Sequence, residues 1–145
     1  MKGQLFNRRR FIADGSKAVA GITLLSSLTN NTWAYTRKPP RIRFSVISIN
    51  HPHIYGMIES VIKGGGELVS VYAKEPELVV AFSKKYPQAK PARTYKEILE
   101  DHSIQLVLSS GIPADRAPLG IEVMQHGKDF LVDKPGITTL EQLAE

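Results

Sequence analysis

Ile42-Arg43-Phe44-Ser45-Val46-Ile47-Ser48-Ile49-Asn50-His51-Pro52-His53-Ile54-Tyr55-Gly56 runs an apolar segment into a turn and then into a helical pattern. Residues 42–49 are rich in β-branched and aromatic side chains, and Asn50-His51-Pro52 closes them off as a strand. Beyond the turn, Ile54, Met57, Ile58, Val61 and Ile62 recur at helical spacing. That periodicity predicts an amphipathic helix, stopped by Gly64-Gly65-Gly66.

A strand, a tight turn and a helix form the setting in which G-x-G-x-x-G cradles a dinucleotide. Here Ser48, Asn50 and His53 occupy the three glycine positions, with His51 between them. The stretch is open to three readings at this point: an altered nucleotide loop, an H-x-H metal pair, or an ordinary turn. Ser48 is small, and Asn tolerates positive φ better than most residues, but His53 is bulky where close helix–strand packing is wanted. Amides of the first helical turn after Pro52 could face a phosphate.

The rest of the chain keeps alternating. Leu68–Tyr72 reads as a second strand, and Pro76 opens a helix with Leu78, Val79 and Phe82 inward. Thr94-Tyr95-Lys96-Glu97 is a capping box for a short helix. Ile104–Leu108 is an apolar strand of the kind buried on both faces. Asp115 can cap a helix that runs to His126 and stops at Gly127, Phe130–Val132 is the last strand, and Thr138 with Glu141 makes a second capping box. This βαβα(α)βαβα order predicts an α/β fold, a Rossmann-like doubly wound parallel sheet over residues 42–145. Ligands of such a sheet bind outside the carboxyl ends of the strands. The final helix has only Leu140–Glu145 to occupy it, so the domain reads as incomplete, cut before any substrate domain.

Charge and composition exclude several classes. The net charge of +5 comes from the first 43 residues; the remainder holds 10 basic and 13 acidic residues, which excludes a nucleic-acid partner by charge. There is no cysteine, hence no disulfide, thiolate metal site or cysteine nucleophile. Residues 1–34 have the three-part layout of a secretion signal: Asn7-Arg8-Arg9-Arg10-Phe11-Ile12, an apolar stretch over Ala18–Leu28, then Thr32-Trp33-Ala34. The Arg8-Arg9 pair resembles a twin-arginine signal, which implies the export machinery as a partner and a periplasmic or other extracytoplasmic location. Residues 35–41, with Pro39-Pro40, read as a stiff linker.

Four further stretches carry a resemblance: Gly65-Gly66-Glu67-Leu68-Val69-Ser70-Val71-Tyr72, Glu75–Phe82, Tyr95–Asp101 and Gly127–Pro135. They are similar to the glucose–fructose oxidoreductase/inositol dehydrogenase (Gfo/Idh/MocA) family over nearly all of the chain beyond Ile42. The resemblance implies an NAD(P)-dependent oxidoreductase acting on a sugar, polyol or related small-molecule hydroxyl compound. It also implies a second domain, which supplies a histidine proton partner and can mediate homo-oligomers. Asp133-Lys134-Pro135 stands where the family has E-K-P, which makes Lys134 the catalytic candidate and Asp133 and Pro135 cofactor neighbours. Ser48, Ile49, Asn50, His51 and His53 correspond to the nucleotide loop, and Pro113 to the nicotinamide side.

The choice between NADP and NAD turns on the end of the second strand. Ala73 cannot hold a ribose hydroxyl, whereas Lys74 can pair with a 2′-phosphate, which tilts the choice to NADP. Arg116 could bind a substrate carboxylate or phosphate, or else sit on the helix surface paired with Asp115 or Glu122.

Two alternatives stand beside this. A metal-dependent hydrolase could use His51 and His53, yet two imidazoles need further ligands, and the other histidines, His102 and His126, fall at helix ends; no metal is assigned. The other is a truncated nucleotide-binding module without activity of its own.

Overall fold

The computed structural model describes residues 39–144, so the predicted signal peptide and most of the linker lie outside the described residues. Ten elements follow in order: β1 (Ile42–Ile47), α1 (His53–Lys63), β2 (Gly66–Tyr72), α2 (Pro76–Lys85), β3 (Lys90–Pro91), α3 (Tyr95–Glu100), β4 (Leu106–Ser109), α4 (Pro113–Gln125), β5 (Asp129–Val132) and α5 (Leu140–Ala144). The strands form one parallel sheet in the order β3-β2-β1-β4-β5. This is the doubly wound α/β arrangement that the alternating pattern predicts.

The side-chain period of a strand explains the two cores. Phe44 and Val46 of β1 join Ile54, Ile58, Phe82 and Leu108 on one face, where α1 and α2 pack. Ile47 joins Ile98, Leu99, Ile104, Val107 and Val123 on the other, beneath α3 and α4. Phe44 and Phe82 are completely buried, and truncating either to alanine costs about 3–5 kcal/mol. The β1–β2 register slips between Phe44 and Val46. At that slip the buried hydroxyls of Ser45 and Ser70 satisfy each other at 2.8 Å.

Several boundaries differ from the sequence reading, each for a local reason. β3 was not foreseen: a two-residue edge strand has no periodicity to detect, and Pro91 is tolerated because the strand lies at the sheet edge. β4 begins at Leu106 rather than Ile104, whose N–H turns back to the Asp101 carbonyl. α4 begins at Pro113, with Ile112 at the N-cap and no side-chain cap, so Asp115 lies in the first turn instead of capping it. The last capping pair is shifted by one residue: Gln142 N–H donates to Thr139 Oγ1, while the Gln142 side chain accepts from Thr138.

Three packing details hold the β5 side of the sheet together. A Cβ at Gly120 would lie 2.7 Å from the Phe130 ring, so only glycine lets α4 sit down on β5. Pro118 lies inside α4 and cannot donate to the carbonyl one turn back. That carbonyl, on Ala114, accepts instead from the Gln142 amide at 2.9 Å, which ties α5 to α4. Lys128 is buried beside β5; burial lowers its pKa against the opposing pull of Asp101, and its ammonium donates to the carbonyls of Asp101 and Ile104.

Candidate functional site

β1 lies between β2 and β4, so the connections leaving β1 and β4 diverge to opposite faces. A crevice at the carboxyl edge of the sheet follows from that topology. Ser48 follows β1 with φ 64°, the left-handed conformation that favours glycine. Its N–H donates to the Tyr72 carbonyl at 2.8 Å, and its own carbonyl accepts from Ser110 N–H at 3.0 Å. The positive φ thus falls at the first glycine position of the fingerprint, not at Asn50.

The loop backbone is fastened from within. His51 N–H donates to the Ser110 carbonyl, Ile54 N–H to the His51 carbonyl and Tyr55 N–H to the Pro52 carbonyl. His53 N–H reaches the His51 ring Nδ1 at 3.3 Å. The first-turn amides expected to face a phosphate therefore have internal acceptors. The His51 ring lies over the start of the helix, held by the His53 N–H. Ile49 is buried in the α1–α2 core, so only its backbone can meet a ligand. Asn50 is exposed and donates to Glu75 Oε1 at 3.0 Å.

Two cavities lie along the crevice. One, of about 210 Å³, is lined by Ser48, Tyr72, Lys74, Tyr95, Leu119 and Glu122 among others. The second, of about 300 Å³, is lined by Asn50, His51, His53, Gly111, Pro113, Arg116, Asp133 and Lys134 among others. Lys74, Pro113, Lys134 and Pro135 are all exposed, and the Lys134–Pro135 peptide is cis.

The centre of the second cavity is Asp133. His53 Nδ1 lies 3.1 Å from Asp133 Oδ1, His51 Nδ1 lies 3.5 Å from Oδ2, and Arg116 approaches Oδ2 at 3.7 Å. Lys134 N–H donates to Asp133 Oδ1 at 2.9 Å. Burial works against ionisation of this carboxyl, but the hydrogen bonds from His53 and Lys134 and the charges around it outweigh burial and hold its pKa below the ordinary value.

Arg116 is not the surface helix residue that the sequence suggested. It is buried, with Nε donating to the Gly111 carbonyl and Nη1 to the carbonyls of Asp133 and Pro135. Its partners are neither Asp115 nor Glu122, and its fork is already occupied by the protein. It clamps the β4 and β5 loops against each other and is not free to take a substrate anion. The grouping of His51, His53 and Asp133 was equally absent from the sequence reading, which assigned the aspartate to the D-K-P element alone. An 80-residue separation hid the contact.

Fold and site together define a Rossmann-like domain with its crevice at the topological switch point. Among solved structures, the chain is similar to a candidate oxidoreductase from Erwinia carotovora atroseptica at 38% identity and a TM-score of 0.70, over 72% of this chain and 31% of that one. It is also similar in fold to the WlbA dehydrogenase of Bordetella pertussis, solved with NADH and UDP-GlcNAcA (22% identity, TM-score 0.62, 70% of this chain and 31% of that one). A third is biliverdin reductase of Synechocystis, solved with biliverdin and NADP+ (18% identity, TM-score 0.60, 70% and 32%). The chain therefore spans about a third of the length of these proteins. No protein-family model matches it, and no curated protein does.

Proposed function

We propose that this chain is the nucleotide-binding part of an exported NAD(P)-dependent oxidoreductase acting on a sugar, polyol or related hydroxyl compound. The observation that carries this reading is the pair of cavities at the carboxyl edge of the sheet, one lined by Ser48 and Tyr72 and the other by the loops that follow β1, β4 and β5. A dinucleotide is an extended molecule with two ends to bury, and the switch point of a doubly wound sheet is where such ligands lie.

The adenosine end is assigned to the cavity lined by Tyr72, Lys74 and Tyr95. Lys74 is there to meet a 2′-phosphate, while Glu75, now held by Asn50, is three residues past the strand end, near where an acidic group takes ribose hydroxyls. The nicotinamide end is assigned to the cavity lined by Pro113, Asp133 and Lys134. A diphosphate between them meets the Ser48–Asn50 backbone once the His51 ring swings out. When bound, the nicotinamide supplies the hydride acceptor or donor. Lys134 holds the substrate hydroxyl oxygen and stabilises alkoxide character as the carbon loses hydride. The resemblance assigns the base that takes the hydroxyl proton to a second domain.

The experiment is titration of the full-length protein with NADP and NAD, oxidised and reduced, followed by its melting temperature. A rise with at least one of them supports the reading. His51→Ala is expected to strengthen binding, because it frees the His53 N–H from the His51 ring.

A further inference from the structure

We propose that His51, His53 and Asp133 form a binding site for a first-row divalent transition-metal ion, with zinc the best match. Their ligand atoms all lie within 4.8 Å of one another. From the single oxygen Oδ2 of Asp133, His53 Nδ1 lies at 3.2 Å and His51 Nδ1 at 3.5 Å, close polar contacts now. They also bracket the spacing of about 3.4 Å between neighbouring ligands of a tetrahedral ion with bonds near 2.1 Å. An ion can therefore enter between them once the His51 ring Nδ1 turns from the His53 N–H toward the carboxylate.

Three features make this more than a surface His–Asp contact. Pro52, at φ −65°, stands between the histidines and fixes their separation as the chain enters α1. The rings are held edge-on, with centroids 4.2 Å apart. The carboxylate is oriented from behind, by Lys134 N–H on Oδ1 and by Arg116, whose fork is committed to three carbonyls and cannot turn outward. Such backing groups fix the ligand geometry in metal sites. Two neutral imidazoles and one carboxylate select zinc, cobalt or nickel over magnesium and calcium, which take oxygen ligands. Both histidines are exposed at the mouth of the cavity of about 300 Å³, which leaves a coordination position for water or a substrate oxygen.

The test is titration of the full-length, chelator-treated and nucleotide-free protein with Co²⁺, followed by visible absorption, and then with Zn²⁺ as competitor. We expect one equivalent of cobalt in a tetrahedral spectrum, displaced by zinc and not by magnesium. His51→Ala and His53→Ala should each weaken binding by about tenfold or more. His102→Ala and His126→Ala, which alter the only other histidines among the four in the chain, should leave it unchanged. No cobalt spectrum, or one that survives both His51→Ala and His53→Ala, overturns the proposal. A failure of cobalt to bind leaves the nicotinamide reading standing, since no nucleotide is present. His51 is exposed and outside the core, so its variant keeps the test valid should His53→Ala or an Asp133 variant fail to fold.

Discussion

Ser48 and Gly111 meet so closely that a Cβ at Gly111 would lie 2.8 Å from the Cβ of Ser48. The glycine missing from the loop after β1 thus has its counterpart in the loop after β4. Gly111→Ala should cost about 1–3 kcal/mol as overpacking. Ser48→Gly should be close to neutral, because relief of a positive φ is offset by a more flexible unfolded chain. In the Ser48→Gly background, the Gly111→Ala penalty should shrink by about 1 kcal/mol or more. Urea unfolding of the four proteins checks this, and strict additivity would refute a direct contact.

Arg116 connects the two loops that carry the site. Arg116→Met should destabilise the domain by about 2–4 kcal/mol, since it removes the donor to the carbonyls of Gly111, Asp133 and Pro135 and the nearby positive charge from Asp133. Arg116→Lys should recover only part of that loss, because an ammonium cannot reproduce the planar fork. Chemical denaturation decides it. Equal stability of the methionine variant and the parent would return Arg116 to the surface role that the sequence suggested.

Acid stability should report on Asp133. Its carboxyl is ionised more readily folded than unfolded, where the ordinary value is 3.8. The folded pKa is thus the lower one. The stability it contributes is fully present above the unfolded pKa and is lost as pH falls through the folded one. Melting temperature from neutral pH down to about pH 3 should fall more steeply for the parent than for Asp133→Asn. Parallel curves would mean that the carboxylate is not held by its neighbours.

The elements above differ in how far they could be read in advance. α1 was legible because Ile54 and Ile58 are buried at helical spacing, and β1 because its apolar run ends at a proline turn. β3 was not, because Lys90 and Pro91 carry no burial pattern. The loop residues Ser48, Asn50 and His53 were identifiable by position, but the inward fold of His51 depends on its own ring and on Ser110, a residue 59 positions away. Arg116 was misplaced for a similar reason: its acceptors are backbone carbonyls, which leave no mark on residue type. A buried arginine is foreseeable only where a helix is already known to face two converging loops.

Lys74 tests the choice of cofactor. If it meets the 2′-phosphate, Lys74→Ala should lower NADP affinity by about three- to tenfold and leave NAD within twofold, the scale of a partly exposed ion pair. Glu75→Ala should act in the opposite sense, weakening NAD more than NADP. Calorimetric titration with both nucleotides measures each ratio. Identical losses for the two cofactors would place both side chains outside the ribose site.

The most direct measurement is the dissociation constant of NADPH and NADH for the full-length protein, read from the nicotinamide fluorescence. A saturable complex on the order of 1–100 µM, within the range typical of enzyme ligands, is the expected result. It should weaken with Gly111→Ala, which presses a Cβ against Ser48 at the wall of the second cavity, and persist in Lys134→Ala. No saturable binding of either nucleotide up to about 1 mM, with the protein folded, would contradict the account.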